Sequence, residues 1–240
     1  MIKIENVEVM GWDTAIRGMR NPMKSWEKSD SGTCGYPHHI GCANCPDHKI
    51  CNHPFRNDGV FKLGKADYEL VMKLVKAGTD HRKFMRMIAV YADITAPLYW
   101  WKEYDTYKVG TVANSCSTMH KIAEKEFTLE DFSCEHLDIR TRKILEEIIK
   151  ALNDYRTLYI NYNPNDFEIK GCPSKKDLWW QMIQLLPSSY NQKRTVMLNY
   201  EVLANIYKSR KNHKLDEWRT FCDWIKALPY SELITGGTDE

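Results

Sequence analysis

The sequence predicts a helix-rich chain with a few strands, of the α/β or α+β class, and three observations carry this. Residues 2–10 alternate loosely, with Ile2, Ile4, Val7 and Val9 apolar, which is the period of a strand. Residues 138–154 place Ile139, Ile144, Leu145, Ile148, Ile149 and Leu152 at the spacing of an amphipathic helix. Two helix-start signals, Thr128-Leu129-Glu130-Asp131 and Ser174 to Asp177, each put a hydroxyl three residues before a carboxylate.

The remaining elements follow in order. Gly18-Met19-Arg20-Asn21-Pro22 reads as a turn, and residues 29–59 read as a long loop without periodicity. Asp67 is placed as the cap of a helix to about Ala77, with Leu70, Val71, Leu74 and Val75 as its apolar stripe and Gly78 as its stop. Residues 84–92 read as a strand. Ala96-Pro97 opens a helix holding Leu98, Trp100 and Trp101, since proline suits a first turn. Helices are also expected over 114–125, from Ser174 to Leu186-Pro187, and over about 196–211 and 215–227.

With 240 residues, 43% of them hydrophobic and 28% charged, the chain suits a single domain over 1–240 that buries a core without disulfides. Lys+Arg is 34 and Asp+Glu 32, so the net charge of +2 offers no bulk electrostatic case for nucleic acid. No apolar run approaches the ~20 residues that cross a bilayer, and Met1-Ile2-Lys3-Ile4-Glu5 lacks the apolar core of a signal peptide. The expectation is a soluble cytoplasmic protein with no membrane partner.

The clearest candidate for metal chemistry is a Cys/His-rich inserted segment at 30–58. It holds Cys34, Cys42, Cys45 and Cys51, with His38, His39, His48 and His53 between them. A Cys-x2-Cys knuckle supplies two thiolates from one turn, which suits tetrahedral zinc; four thiolates would equally hold an iron–sulfur cluster, and a metal-free loop of reduced cysteines has the same composition. The other cysteines, Cys116, Cys134, Cys172 and Cys222, are scattered.

Three further constellations are polar enough to carry chemistry. His81 lies in Asp80-His81-Arg82-Lys83-Phe84, just after an expected helix stop. Trp101 to Thr111, followed by Asn114-Ser115-Cys116-Ser117-Thr118-Met119-His120, leads into an expected helix start, where free N–H groups suit a phosphate. Asn199 and Arg210, eleven residues apart, would share one helix face about three turns long, with Asn205 near it. Surface ion pairs or an ordinary solvated helix would have the same composition.

On these last residues the chain resembles the flavin-dependent thymidylate synthases. That family has a motif of the form Arg-His-Arg-x-x-Ser-x-Asn-Glu-x-Ser-x-Arg-Tyr after an Ala-Pro helix. Its later part has Leu-Pro, an Asn twelve residues after the Pro, a helix ending in Leu-Arg and a closing Glu-x-Arg. Here Pro187 and Asn199 have that spacing, Asn205 and Arg210 continue it, and Glu217-Trp218-Arg219 closes it. His81, Ala96-Pro97, Asn114 and Ser117 fall in the same order upstream, so the resemblance spans about 65–228. The departures are specific. With one residue inserted near Ala113, the Arg-His-Arg triplet falls on Thr106-Tyr107-Lys108, the preceding Gln on Glu103 and the motif's first Ser on Thr111. Its final Arg-Tyr falls on Met119-His120. Arginines expected at 183 and 201 are Ile183 and Glu201. Each such change removes a fork of donors.

The resemblance implies a mixed sheet flanked by helices, like the thymidylate synthase-complementing proteins, assembled as a homotetramer. It implies flavin-dependent methylation, or a related one-carbon modification, of dUMP or a similar pyrimidine nucleotide. FAD would be the cofactor, with NADPH and methylenetetrahydrofolate as co-substrates. Ser117, beside the nucleotide phosphate, and Arg210 would be catalytic. His81, Lys108, Asn114, Asn199, Asn205 and Arg210 would bind cofactor. Such enzymes use no cysteine nucleophile on the base, so Cys116 has no part. The alternatives are a nucleotide-binding homologue with altered catalysis, or a metal-site interaction module built on the Cys/His segment.

Overall fold

A computed structural model describes residues 2–33, 61–164 and 173–236. The elements are β1 (Lys3–Met10), α1 (Trp12–Met19), β2 (Gly32–Thr33), β3 (Phe61–Lys62), α2 (Lys65–Lys76), β4 (Ala89–Pro97), α3 (Leu98–Tyr104) and β5 (Val112–Ser115). They continue with α4 (Thr118–Lys121), α5 (Ile139–Ile160), α6 (Lys175–Leu185), β6 (Asn191–Asn199), α7 (Tyr200–Arg210), α8 (Asp216–Lys226) and α9 (Glu232–Thr235). The class is α/β: a four-stranded sheet in the order β1-β4-β6-β5, a two-stranded ladder β2-β3, and helices. No helix among the described residues is long and apolar enough to cross a membrane.

The chain divides into two compact units. The first comprises 1–7, 91–197 and 212–221. It holds most of the sheet, whose β4 buries Ala92, Ile94 and Ala96 at the strand period. β5 pairs antiparallel with β6, Val112 opposite Met197 and Ser115 opposite Arg194. One core cluster joins Phe127, Phe132, Leu145, Ile149, Leu152 and Met182, where α5 packs on α6. A second is aromatic: Trp100, Trp101, Tyr104, Trp218 and Phe221, with ring centroids 4.8–5.9 Å apart in their contacts.

The second unit comprises 8–90, 198–211 and 222–240. Trp12 is its hub, stacked on Phe61 and edge-on to Tyr200 and Tyr230. Gly11 starts α1 at φ 93, and a Cβ there would stand 2.3 Å from the Met87 carbonyl oxygen, so only glycine fits. Asp67 is fully buried inside α2. It receives Arg20 Nε at 2.6 Å, Ser29 Oγ at 2.7 Å and the backbone N–H groups of Asp30 and Ser31. Burial acts to raise the Asp67 pKa, but hydrogen bonds from Ser31, Ser29, Arg20 and Asp30 outweigh it and hold the carboxyl below its usual range.

Several expectations are corrected. Asp67 does not cap α2; the Asp30 carboxylate does, accepting from the N–H groups of Ala66 and Asp67. The turn expected from Gly18 to Pro22 starts later, because Gly18 and Met19 are the last two residues of the helix α1. Its buried Trp12, Ala15, Ile16 and Met19 have the helical period. Residues 83–87 form a 3-10 turn, and the strand expected over 84–92 starts at Ala89. Ala96-Pro97 ends that strand, with Pro97 as the N-cap of α3. The helix expected over 114–125 is instead β5 followed by four helical residues, because Asn114 and Ser115 pair with Thr195 and Arg194. The helix expected from 196 begins at Tyr200, since Val196 and Leu198 are buried as alternate residues of β6. Both capping boxes, at Thr128 and Ser174, form as expected. The 138–154 helix runs on to Ile160.

Candidate functional site

The expected site residues fall in both units. Ser117, Asn114 and Lys108 belong to the first. Ser117 caps α4, its hydroxyl accepting from the His120 N–H at 3.0 Å. Asn114 is exposed on β5, an edge strand of the sheet, and Lys108 is exposed in the turn before it. Next to this segment, Gln192 Nε2 donates to the Cys116 carbonyl at 2.8 Å, and Arg194 Nε donates to Gln192 Oε1 at 2.9 Å. The Arg194 guanidinium also meets Asp105 at 2.8 Å and lies 4.2 Å from the Trp101 ring centroid. Arg194, itself on β6, is therefore committed to packing on Trp101 and pairing with Asp105.

Glu103, at the position of the motif's Gln, accepts from Trp218 Nε1 at 2.9 Å, with His213 Nε2 3.5 Å away. The closing Glu217-Trp218-Arg219 is likewise engaged. Glu217 accepts from the Tyr99 hydroxyl, and Arg219 donates to the carbonyls of His213 and Lys214 and to Asp216. Burial, and then the Glu217 carboxylate, push the Tyr99 phenol well above its usual pKa, so it stays a donor. Of this triplet Trp218 packs in the aromatic core of the first unit, against Trp100 and Phe221, while Glu217 and Arg219 are bound by residues outside that cluster.

The second unit carries His81, Asn199, Asn205 and Arg210. Asn199 lies outside the helix, extended at φ −138, and caps α7 by accepting from the Val202 N–H at 3.0 Å. The expectation that Asn199 and Arg210 share a helix face is therefore corrected: Asn199 opens α7 and Arg210 ends it. Asn205 is exposed between them, and Arg210 is half-buried. His81 is exposed in the turn after α2, its N–H donating to the Gly78 carbonyl at 3.0 Å. Arg82, the next residue, pairs with Glu201 in the first turn of α7. The Tyr200 N–H donates to the Ile88 carbonyl at 3.1 Å. These ties hold the His81 turn against the end of α7 that Asn199 caps.

The Arg82–Glu201 pair is what sequence reasoning missed. Its two residues are 119 positions apart, and no local pattern joins them. Cys34, Cys42, Cys45 and Cys51 lie outside the described residues. Where the described chain borders their segment it is fixed by the ladder Gly32↔Lys62 and Thr33↔Phe61. Among the described residues no group of His, Cys, Asp and Glu is arranged to hold a metal.

No protein-family model matches the chain, and neither does any curated protein. Solved structures do. One is thymidylate synthase X (ThyX) from Helicobacter pylori with FAD and dUMP. It is 15% identical, with a TM-score of 0.60 over 97% of this chain and 96% of that one. Another structure of flavin-dependent thymidylate synthase ThyX from Helicobacter pylori, also complexed with FAD and dUMP, is 16% identical. Its TM-score is 0.55 over 95% and 96% of the two chains. At these identities the likeness concerns the fold: from end to end, this chain has a ThyX-like fold.

Proposed function

We propose that the chain is a flavin-dependent enzyme that methylates dUMP, or places a related one-carbon group on a similar pyrimidine nucleotide. The observation that carries this reading is the end-to-end fold likeness to ThyX structures that hold FAD and dUMP. A shared fold alone does not determine a reaction, so the donor set is the second support. Asn199, Asn205, Arg210 and His81 belong to one unit, and amides, a guanidinium and an imidazole are the kinds of group that pair with a pyrophosphate and the polar ring edge of FAD. In the other unit, Lys108, Asn114 and Ser117 supply an ammonium, an amide and a hydroxyl suited to a nucleotide phosphate and base. FAD would supply the hydride chemistry, with NADPH as reductant and methylenetetrahydrofolate as carbon donor. The protein's part is to bind and orient: Arg210 holds an anionic group, and the Ser117 hydroxyl donates near the phosphate. We further propose a homotetramer and a zinc ion held by Cys34, Cys42, Cys45 and Cys51.

The test is the visible spectrum of the purified protein, followed by mass analysis of dUMP incubated with FAD, NADPH and methylenetetrahydrofolate. Bound flavin and a methylated or otherwise carbon-extended nucleotide are expected. A colourless protein that takes up no added FAD and leaves dUMP unchanged would overturn the reading.

A further inference from the structure

A cleft of about 370 Å³ opens in the first unit where α4, the end of α5 and the start of α6 meet. It is lined by Met119, His120, Tyr159, Lys175, Lys176 and Trp179. None of the six is acidic, two carry ammonium groups and one an imidazole. The two lysines are the first two residues of α6, directly after its Ser174 cap. Cations at a helix N-terminus have the wrong sign for the helix dipole. Asp177, in the same turn, has a carboxylate committed to the Ser174 hydroxyl and N–H, at 2.6 and 2.8 Å. An anion in the cleft would meet both the ammonium groups and the positive end of the helix.

The walls are held in place from within the unit. Lys175 Nζ lies 4.9 Å from the Tyr159 ring centroid, so that ammonium is stationed on an aromatic face. Trp179 Nε1 donates to the Met119 carbonyl at 2.9 Å, which fixes the indole against α4. The indole is half-buried and offers a planar surface beside the charge. Charge for a phosphate next to a fixed ring is the pair of features that a nucleotide combines.

We infer that this cleft binds a nucleotide, with Lys175, Lys176 and His120 meeting the phosphate and Trp179 meeting the base. The inference rests on the nucleotide part of the function proposed above. It adds residues outside the matched motif, and it puts cations beside Met119, where the resemblance expects an arginine.

The experiment is calorimetric titration of the full chain with dUMP and with deoxyuridine, alongside the charge-removing pair Lys175→Gln/Lys176→Gln. A second pair, Lys175→Arg/Lys176→Arg, and the exposed Lys150→Gln serve as comparisons. Loss of two charge-assisted contacts weakens dUMP binding by about tenfold or more, while the arginine pair and Lys150→Gln bind as the parent does. Deoxyuridine, lacking the phosphate, binds parent and glutamine pair alike. Undiminished dUMP binding by a folded glutamine pair overturns the inference, and so does a parent chain that binds no dUMP. Flavin content, read on the same samples, separates the two claims. A flavin-loaded protein whose dUMP affinity ignores the lysines keeps the proposed reaction and loses this cleft. A flavin-free protein whose dUMP affinity depends on them keeps the cleft and loses the reaction.

Discussion

Arg82 and Glu201 form a two-pronged ion pair: Nε lies 2.9 Å from Oε2, and Nη2 donates to Oε1 at 3.1 Å. Glu201 is buried, and it stands where the thymidylate synthase resemblance expects an arginine. An arginine there would set two guanidinium groups against each other in a poorly hydrated place. The departure at 201 and the presence of Arg82 beside His81 are thus one arrangement: the carboxylate neutralises a cation of this chain.

Removing that carboxylate leaves Arg82 largely buried without its partner. Glu201→Gln should lower stability by about 2–3 kcal/mol, less than for a wholly enclosed pair because Arg82 keeps some contact with water. Glu201→Arg should cost more, and the exchange Arg82→Glu/Glu201→Arg should recover part of the loss. Urea unfolding midpoints check this. A Glu201→Gln midpoint equal to the parent's would show that the pair contributes nothing to stability.

This pair also marks where the sequence stops being legible. Elements with local signals are legible: the alternation of β1, the helix α5 and the capping boxes at Thr128 and Ser174 all form, although the stripe expected on α5 buries Leu145, Ile149 and Leu152 and leaves Ile139 and Ile144 exposed. Local pattern misleads where a long-range contact decides between local options. Val196, Met197 and Leu198 are apolar, which suits a helix or a strand, and the pairing of Val196 and Met197 with β5 makes this stretch strand. Asp67 has the chemistry of a cap but is recruited by Arg20, 47 residues away, while Asp30 does the capping. For the candidate site, the order of Asn199, Asn205 and Arg210 was visible. That Asn199 spends its side-chain oxygen capping α7 required the start of that helix, which the sequence left ambiguous.

Acid should loosen the sheet through Asp93. Its carboxyl is held down to about 2 by hydrogen bonds from Thr195, Asn6 and Lys193, which tie β4 to β6 and β1. Because the folded pKa lies below the unfolded value of about 3.9, the contribution is fully present above pH ~4. It is lost as pH falls from there through about 2. Asp93→Asn should therefore flatten the acid limb of a stability–pH curve while changing its upper limb less in slope. An acid limb with the parent's slope would assign the loss to other carboxylates.

Gly11→Ala tests the start of α1. The new Cβ meets the Met87 carbonyl oxygen at 2.3 Å, and φ of 93 is strained for any side chain. Strain of this kind costs about 1–3 kcal/mol before the clash is counted, so a fall in Tm of several degrees is expected. Gly78→Ala, also at positive φ but with open space around it, should cost less. Equal melting shifts for the two would mean that the contact with Met87 is relieved by a small movement.

The Cys/His-rich segment should take up about one zinc per chain, lost in Cys42→Ser/Cys45→Ser. Its flanks are fixed without it. Ser29, Asp30 and Ser31 are bound to Asp67, and Gly64 N–H donates to Ser31 Oγ at 2.9 Å. Chelation should therefore leave the main thermal transition in place. Metal analysis and melting with and without chelator check both parts, and a protein isolated without chelator that holds no metal would remove the zinc site.

Arg210 is the sharpest probe of the flavin reading. It ends α7, where its charge is favourable at the negative end of the helix dipole, so Arg210→Ala carries a stability cost apart from any ligand. Arg210→Lys keeps that dipole term but replaces the planar fork with a point charge. If Arg210 meets a phosphate or a flavin oxygen, both variants should lose FAD affinity, about tenfold or more for alanine and less for lysine. If it acts only on the helix, lysine should behave as the parent does and alanine should change melting but not flavin binding. The comparison arginine must lie outside any scaffold. Arg194 does not qualify, because it packs on Trp101 and pairs with Asp105. Arg142, exposed on α5 with Glu146 at 3.6 Å, does. Flavin content after purification, and titration with added FAD, should separate Arg210 from Arg142; equal retention in both would detach Arg210 from the cofactor and leave it a helix-terminal charge.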